Sequence, residues 1–173
     1  GQGLLVSNEI VPGRAQILCG NLERMGIENA LITSMEPEAL CSSTGPVFDR
    51  VLVDAPCAGE GMFRKDPQAA AEWSPEHVRS CARRQRSILM SAQKTLKPGG
   101  MLVYSTCSFS PEENEETMEW FLSVCPDFTL EQCRTLYPHN SLGEGQFAAL
   151  LRRQGALLPT LWRQAKSDSC PLY

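Results

Sequence analysis

Short apolar runs alternate with stretches of helical periodicity along this chain. "GLLVSNEI", residues 3–10, reads as a strand that ends at Asn8-Glu9. Pro12 suits a first helical turn, and Ala15, Leu18, Leu22 and Met25 then recur at helical spacing until Gly26 supplies a stop. "NALIT" (29–33) and "FDRVLVDAP" (48–56) are the second and third strands. The connection over 57–77, "CAGEGMFRKDPQAAAEWSPEH", is long, and structureless loops of that length inside a domain are usually functional. Val78, Ala82, Gln85, Leu89, Ala92 and Leu96 define one face of a helix, with Gln85 its one polar member and Arg79, Arg83 and Arg86 mainly on another face. "KPGG" closes that helix, and "MLVYSTCS" (101–108) is a fourth strand. Ser110-Pro111-Glu112-Glu113 has the form of a capping box with proline at the first helical position, ahead of the stripe Met118, Phe121, Leu122, Cys125. "FTLEQC" (128–133) and "GQFAALLRR" (145–153) are two further strands.

Strands alternating with helices predict an α/β fold with a mostly parallel sheet, finished by an antiparallel pair. The 173 residues suffice for one domain with its own core. That domain is expected over 1–155, with 156–173 a tail or the start of a following segment. No run of 18 apolar residues predicts a membrane-spanning helix, and the N-terminus does not read as a signal peptide. Eight cysteines are an even number, yet Cys19, Cys81 and Cys125 lie on helical patterns, so reduced thiols in a cytoplasmic protein are expected. Without a CxxC pair, and with His77 and His139 far apart, no zinc site is expected. A net charge of −4 argues against a broad basic surface. Contact with nucleic acid then needs a local patch or a part of a longer protein.

Ligands of open α/β sheets sit at the carboxyl ends of the strands. Three ends here carry polar or reactive groups: Glu9, Asp54 to Cys57, and Thr106 to Ser108. An acidic residue placed like Glu9 holds ribose hydroxyls in nucleotide-binding sheets; the alternative is a solvated carboxylate capping the next helix. Pro56 ends its strand and presents Cys57 from a stiff backbone. Taken singly, Cys57 reads better as a buried structural cysteine, and Cys107 has the same ambiguity.

The two together point further. "VDAPCAGEGMFRKDP", "LKPGGMLVYSTCSFSPEENE" and "YPHNSLGEGQFAAL" resemble motifs of the RNA cytosine-5 methyltransferases of the NSUN/RsmF type, from about residue 3 to 152. The resemblance implies a Rossmann-like class I methyltransferase sheet with helices on both faces. It implies S-adenosylmethionine as cofactor and RNA as partner, rRNA rather than tRNA. It also implies a methyl transfer to carbon 5 of cytosine through a covalent cysteine adduct. Cys107 would attack carbon 6, making carbon 5 enamine-like, and Cys57 would assist release of the adduct. Asp54 would accept from the exocyclic amine and share a proton with ring nitrogen 3. Glu9, Asp54, Pro56 and, weakly, Ser34 would hold the cofactor. Phe63, Arg64 and Lys65 would lie near the RNA, and Arg79, Arg83, Arg84 and Arg86 would extend the track if they are not simply a solvated helix face.

Against the family pattern, the chain opens on what aligns with the second strand. The first strand, its glycine-rich turn and its helix are missing from this stretch. Two strands should therefore lack a partner and expose apolar surface, which invites self-association. Thr33-Ser34-Met35 carries no carboxylate at the third-strand cofactor position, and Gln146 stands where relatives have histidine. The alternative function is a non-catalytic RNA-binding or interaction module with a degenerate cofactor site. A thiol redox protein is disfavoured by the lack of CxxC.

Overall fold

The computed structural model describes residues 3–140 and 143–156. The expected tail over 156–173 lies, but for its first residue, outside them. The elements in order are β1 (Leu5–Asn8), α1 (Pro12–Arg24), β2 (Ala30–Thr33), α2 (Pro37–Thr44) and β3 (Phe48–Asp54). Then follow α3 (Pro67–Glu72), α4 (Pro75–Ala92), β4 (Leu96–Thr106), α5 (Glu115–Val124), β5 (Phe128–Leu136) and β6 (Gln146–Arg153).

The strands form two sheets. β1 and β2 pair in parallel; β3, β4, β6 and β5 make the second sheet in that order. β3 runs parallel to β4, while β4–β6 and β6–β5 are antiparallel, which gives the expected antiparallel finish. Among the described residues, β1, β2, β3 and β5 are each paired along one side only, and β1 and β3 are the two for which the sequence led us to expect a missing neighbour. Leu5 and Leu52, on those strands, are 47% and 67% exposed.

The core belongs to the second sheet. Leu102 and Tyr104 of β4 and Phe147, Ala149 and Leu151 of β6 alternate inward, as a strand period of two requires. Leu89 of α4 and Phe121 of α5 are also fully buried in this cluster. Tyr104 meets Phe147 edge-on at 6.3 Å, and Phe121 meets Phe128 at 5.1 Å. Such pairs add about 0.5–1.5 kcal/mol each beyond area burial. The six positions named for α4 and its exit are all buried, Gln85 among them.

Four expectations change. α2 was not foreseen: none of its residues is fully buried, so no apolar stripe marks it. The 57–77 connection is not structureless but holds a 3-10 turn (Glu60–Met62) and α3, capped by the Asp66 carboxylate on the N–H groups of Gln68 and Ala69. Lys97–Gly100 lies in the opening of β4, after a 3-10 turn (Gln93–Thr95), rather than simply closing the helix. Finally, Ser110–Glu113 is no capping box. α5 starts at Glu115, and 110–114 form tight turns through Glu113 N–H to Ser110 C=O and Asn114 N–H to Pro111 C=O. Both side chains that would have capped the helix are bound elsewhere, as described next.

Candidate active site

The register of β3 on β4 pairs Val53 with Tyr104 and Asp54 with Ser105. The two chains therefore leave the sheet side by side at their carboxyl ends. The Ala55 N–H continues the ladder onto Ser105 C=O at 2.9 Å, and Ser105 Oγ donates to Asp54 Oδ1 at 3.0 Å. A few residues on, the two sulfurs meet: Cys57 Sγ and Cys107 Sγ are 3.0 Å apart. The Cys107 N–H also donates to Cys57 Sγ at 3.3 Å.

Both thiols are half-buried and share one hydrogen bond. With Cys57 S–H donating, Cys107 is the sulfur that holds negative charge. That bond brings the Cys107 pKa down to about 7, against the opposing effect of burial. The same bond and burial push the Cys57 thiol up. With Cys57 held as the thiol and Cys107 about half ionised near pH 7, the arrangement sets a nucleophilic sulfur beside a proton source.

Two carboxylates that sequence reasoning missed hold these loops. Glu113 is wholly buried and accepts from the Ala58 N–H (3.2 Å to each oxygen), Ser108 Oγ (2.8 Å) and Gln85 Nε2 (2.6 Å). Gln85 also donates to Pro56 C=O at 2.9 Å. One carboxylate thus ties the loop after β3, the loop after β4 and helix α4 together. Burial pushes the Glu113 carboxyl up, with its three donors opposing. Glu60 does similar work nearer the surface, accepting from Phe109 N–H (2.6 Å), Ser110 Oγ (2.6 Å) and Trp73 Nε1 (2.8 Å). Locally the sequence around Glu113 fits a helix cap, whereas the polar Gln85 in an apolar stripe is a usable sign of a buried polar partner.

Close backbone packing completes the frame. The Gly61 N–H donates to Cys107 C=O at 2.7 Å, and a Cβ on Gly61 would sit 2.5 Å from Gly145 C=O. A Cβ on Gly145 would run into the Phe109 ring.

The other predicted residues fall around this centre. Asp54 is exposed at the end of β3, and exposed Pro56 presents its carbonyl to Gln85. Glu9 accepts from the Val11 N–H (3.0 Å), just ahead of α1, and pairs with Arg14 at 2.9 Å. Ser34 Oγ donates to Ile10 C=O at 3.3 Å and borders a shallow groove of about 370 Å³ between α1 and β2. Phe63 is half-buried, while Arg64 and Lys65 both reach Glu144, at 3.1 and 3.6 Å, with their side chains 64% exposed. On α4, Arg79 pairs with Glu76, Arg83 and Arg84 are exposed, and Arg86 lies over the Trp120 ring at 5.2 Å. No cluster of His, Cys, Asp and Glu suited to a metal occurs among the described residues.

Residues 1–152 match the family described as 16S rRNA methyltransferase RsmB/F. The chain belongs to this family. It is 35% identical to ribosomal RNA small subunit methyltransferase F of Pectobacterium carotovorum subsp. carotovorum (strain PC1), over 91% of this chain and 36% of that protein. It is 36% identical to the protein of the same name from Escherichia coli O81 (strain ED1a), over 92% of this chain and 37% of that one. The chain therefore spans little more than a third of these relatives. Among solved structures, NSun6 from Pyrococcus horikoshii with SFG superposes at a TM-score of 0.79, 29% identical, over 89% of this chain and 42% of that one. A methyltransferase homolog protein from the same organism superposes at 0.76, 28% identical, over 87% and 53%. The fold is that of the class I methyltransferases, as the sequence motifs implied.

Proposed function

We propose that this chain carries the cysteine centre of an RNA cytosine-5 methyltransferase acting on rRNA, with S-adenosylmethionine as cofactor. The 3.0 Å approach of Cys57 Sγ to Cys107 Sγ carries the reading, because it sets a sulfur able to form a covalent adduct beside a second one able to assist its release. Family membership supports the methyl transfer and the rRNA substrate.

The donor set suits the cofactor's ribose and amino-acid ends. Glu9 and Asp54 are carboxylates at the ends of β1 and β3, with lone pairs for hydroxyls and for an ammonium group. Pro56 and Ser34 flank them. When bound, S-adenosylmethionine supplies an electrophilic methyl group. The chain's own residues do the rest. Cys107 adds as thiolate to carbon 6 of an extruded cytosine, and carbon 5 becomes nucleophilic. Asp54 accepts from the exocyclic amine and shares a proton with nitrogen 3. Once carbon 5 is methylated, a base or water takes its proton, the carbon 5–carbon 6 double bond re-forms, and the bonding pair returns to Cys107 Sγ as the Cys107–carbon 6 bond breaks; Cys57 assists that release. Phe63, Arg64 and Lys65 line the approach for RNA.

RNA bearing 5-fluorocytosine at the target tests this. The fluorine blocks proton loss, so a covalent complex should accumulate on wild type and on Cys57→Ala, and vanish in Cys107→Ala. With natural RNA, Cys57→Ala alone should hold the adduct. An adduct mapped to any other residue, or none on wild type, overturns the reading. Exposed Leu5 and Leu52 on edge strands also support the self-association expected from sequence. A mass by light scattering that stays monomeric across concentration would reject it.

A further inference from the structure

The site described above leaves one aromatic cluster unused. Phe109, two residues beyond Cys107, stacks against Tyr137 with ring centroids 5.2 Å apart and planes tilted 30°. Tyr137 in turn stacks on His139 at 5.4 Å and 19°. The three rings form a ladder from a half-buried foot beside the cysteine loop to an exposed top, Tyr137 being 39% exposed and His139 exposed as well.

The ladder is rigid at both ends. The Phe109 N–H is held by Glu60, and its ring lies against Gly145, where no side chain fits. Tyr137 to Asn140 close a turn reciprocally: the Tyr137 N–H donates to Asn140 Oδ1 at 2.9 Å and the Asn140 N–H to Tyr137 C=O at 3.0 Å, with Pro138 between. A preorganised surface loses little entropy when a flat ligand lands on it. Arg64 and Lys65 are anchored on Glu144, the neighbour of Gly145, with their side chains largely exposed. Flat π faces beside cations suit a polymer of bases and phosphates whose bases are unpaired. A duplex hides its base faces and offers nothing to the ladder.

We infer that Phe109, Tyr137 and His139 form a stacking platform for an unpaired base flanking the target nucleotide, with Arg64 and Lys65 taking the adjoining phosphate. This rests on the RNA-methylating reading. It adds that the RNA is single-stranded around the target, and that stacking holds the neighbour while the target is extruded.

The test uses single-stranded oligoribonucleotides with 2-aminopurine next to the target cytosine, on either side in turn. Stacking quenches this fluorophore. Wild type and Tyr137→Phe should quench it at one of the two positions. Tyr137→Leu, which keeps apolar bulk without a ring, should lose the quenching and weaken binding on the order of tenfold. His139→Ala should lose part of both and serves if Tyr137→Leu fails to fold. Equal quenching and affinity in wild type, Tyr137→Leu and His139→Ala would overturn the platform, as would equal binding to the same sequence in duplex. The 5-fluorocytosine adduct on wild type is scored separately: its absence rejects the methylation reading, whereas adduct formation with no ring-dependent quenching rejects the platform alone.

Discussion

At the scale of single residues, the decisive asymmetry is between one cysteine and its fellows. Cys107 is brought down to about 7. The other six described cysteines move the other way, Cys57 by sharing its proton, Cys19 chiefly through the Glu23 charge, and the rest mainly by burial. A lowered thiol pKa means the thiolate fraction rises with pH and passes one half near 7. Iodoacetamide labelling followed by peptide mass spectrometry should therefore modify Cys107 first, with a rate that climbs from pH 5.5 to 8 and bends near 7. Cys57→Ala removes the donating thiol, so the bend should move to higher pH. Equal labelling of several cysteines at pH 7 would contradict the assignment. The same 3.0 Å contact makes a chemical cross-link accessible. Diamide, a two-electron thiol oxidant, should join Cys57 to Cys107 with loss of two hydrogens, giving one linked peptide pair that dithiothreitol separates.

At the scale of elements, the loops after β3 and β4 are set by buried polar contacts rather than by their own propensity. Glu113→Ala strands the Ala58 N–H, Ser108 Oγ and Gln85 Nε2, and leaving buried donors unmade costs about 1–3 kcal/mol each. The loss should reach about 3 kcal/mol, seen as a lower urea midpoint. Glu113→Gln keeps an acceptor and should cost less. Because the Glu113 charge raises Cys107, Glu113→Gln should also shift the labelling bend to lower pH, which a merely structural loss would not do. Gly61→Ala forces a methyl against Gly145 C=O and Cys107 C=O, so it should cost about 1–3 kcal/mol and slow Cys107 labelling at a fixed pH. These elements also show what the sequence could reveal. β4 and α4 were readable because burial imposes a period, β3 and α1 because an apolar run and a proline at the first helical turn mark them, and the cysteine pair because it follows two strands. The Glu113 network was not, since Ser110-Pro111-Glu112-Glu113 satisfies the local rules for a helix cap. Only long-range contacts to Ala58 and Gln85 draw its carboxylate inward. α2 stayed hidden for the opposite reason, lacking any buried face.

Across the whole molecule, burial is unevenly shared. The buried apolar cluster draws on β3, β4, β5, β6, α4 and α5, and on the adjoining Ala55 and Cys125, whereas Ala15 is the one buried hydrophobic residue before β3 among those described. β1 and β2 are joined by their own four-residue ladder and by Asn8, whose side chain bonds Thr33 Oγ1 and the backbone of Met35. Local stability follows buried contact, so the β1–α1–β2–α2 unit should open at lower free energy than the four-stranded sheet. Amide hydrogen exchange will show this directly. Residues 5–44 should exchange well ahead of 96–106 and 146–153, whose protection should approach that of global unfolding. Glu9 and Ser34 lie in the weak unit, and Cys57 and Cys107 beyond it. A cofactor bridging both should therefore slow exchange in β1 and β2 far more than in β4, because ordering the loose partner is where its binding energy is spent. Uniform protection across both units without ligand would show that the edges of β1 and β3 are covered in solution, and would point to self-association as the cover.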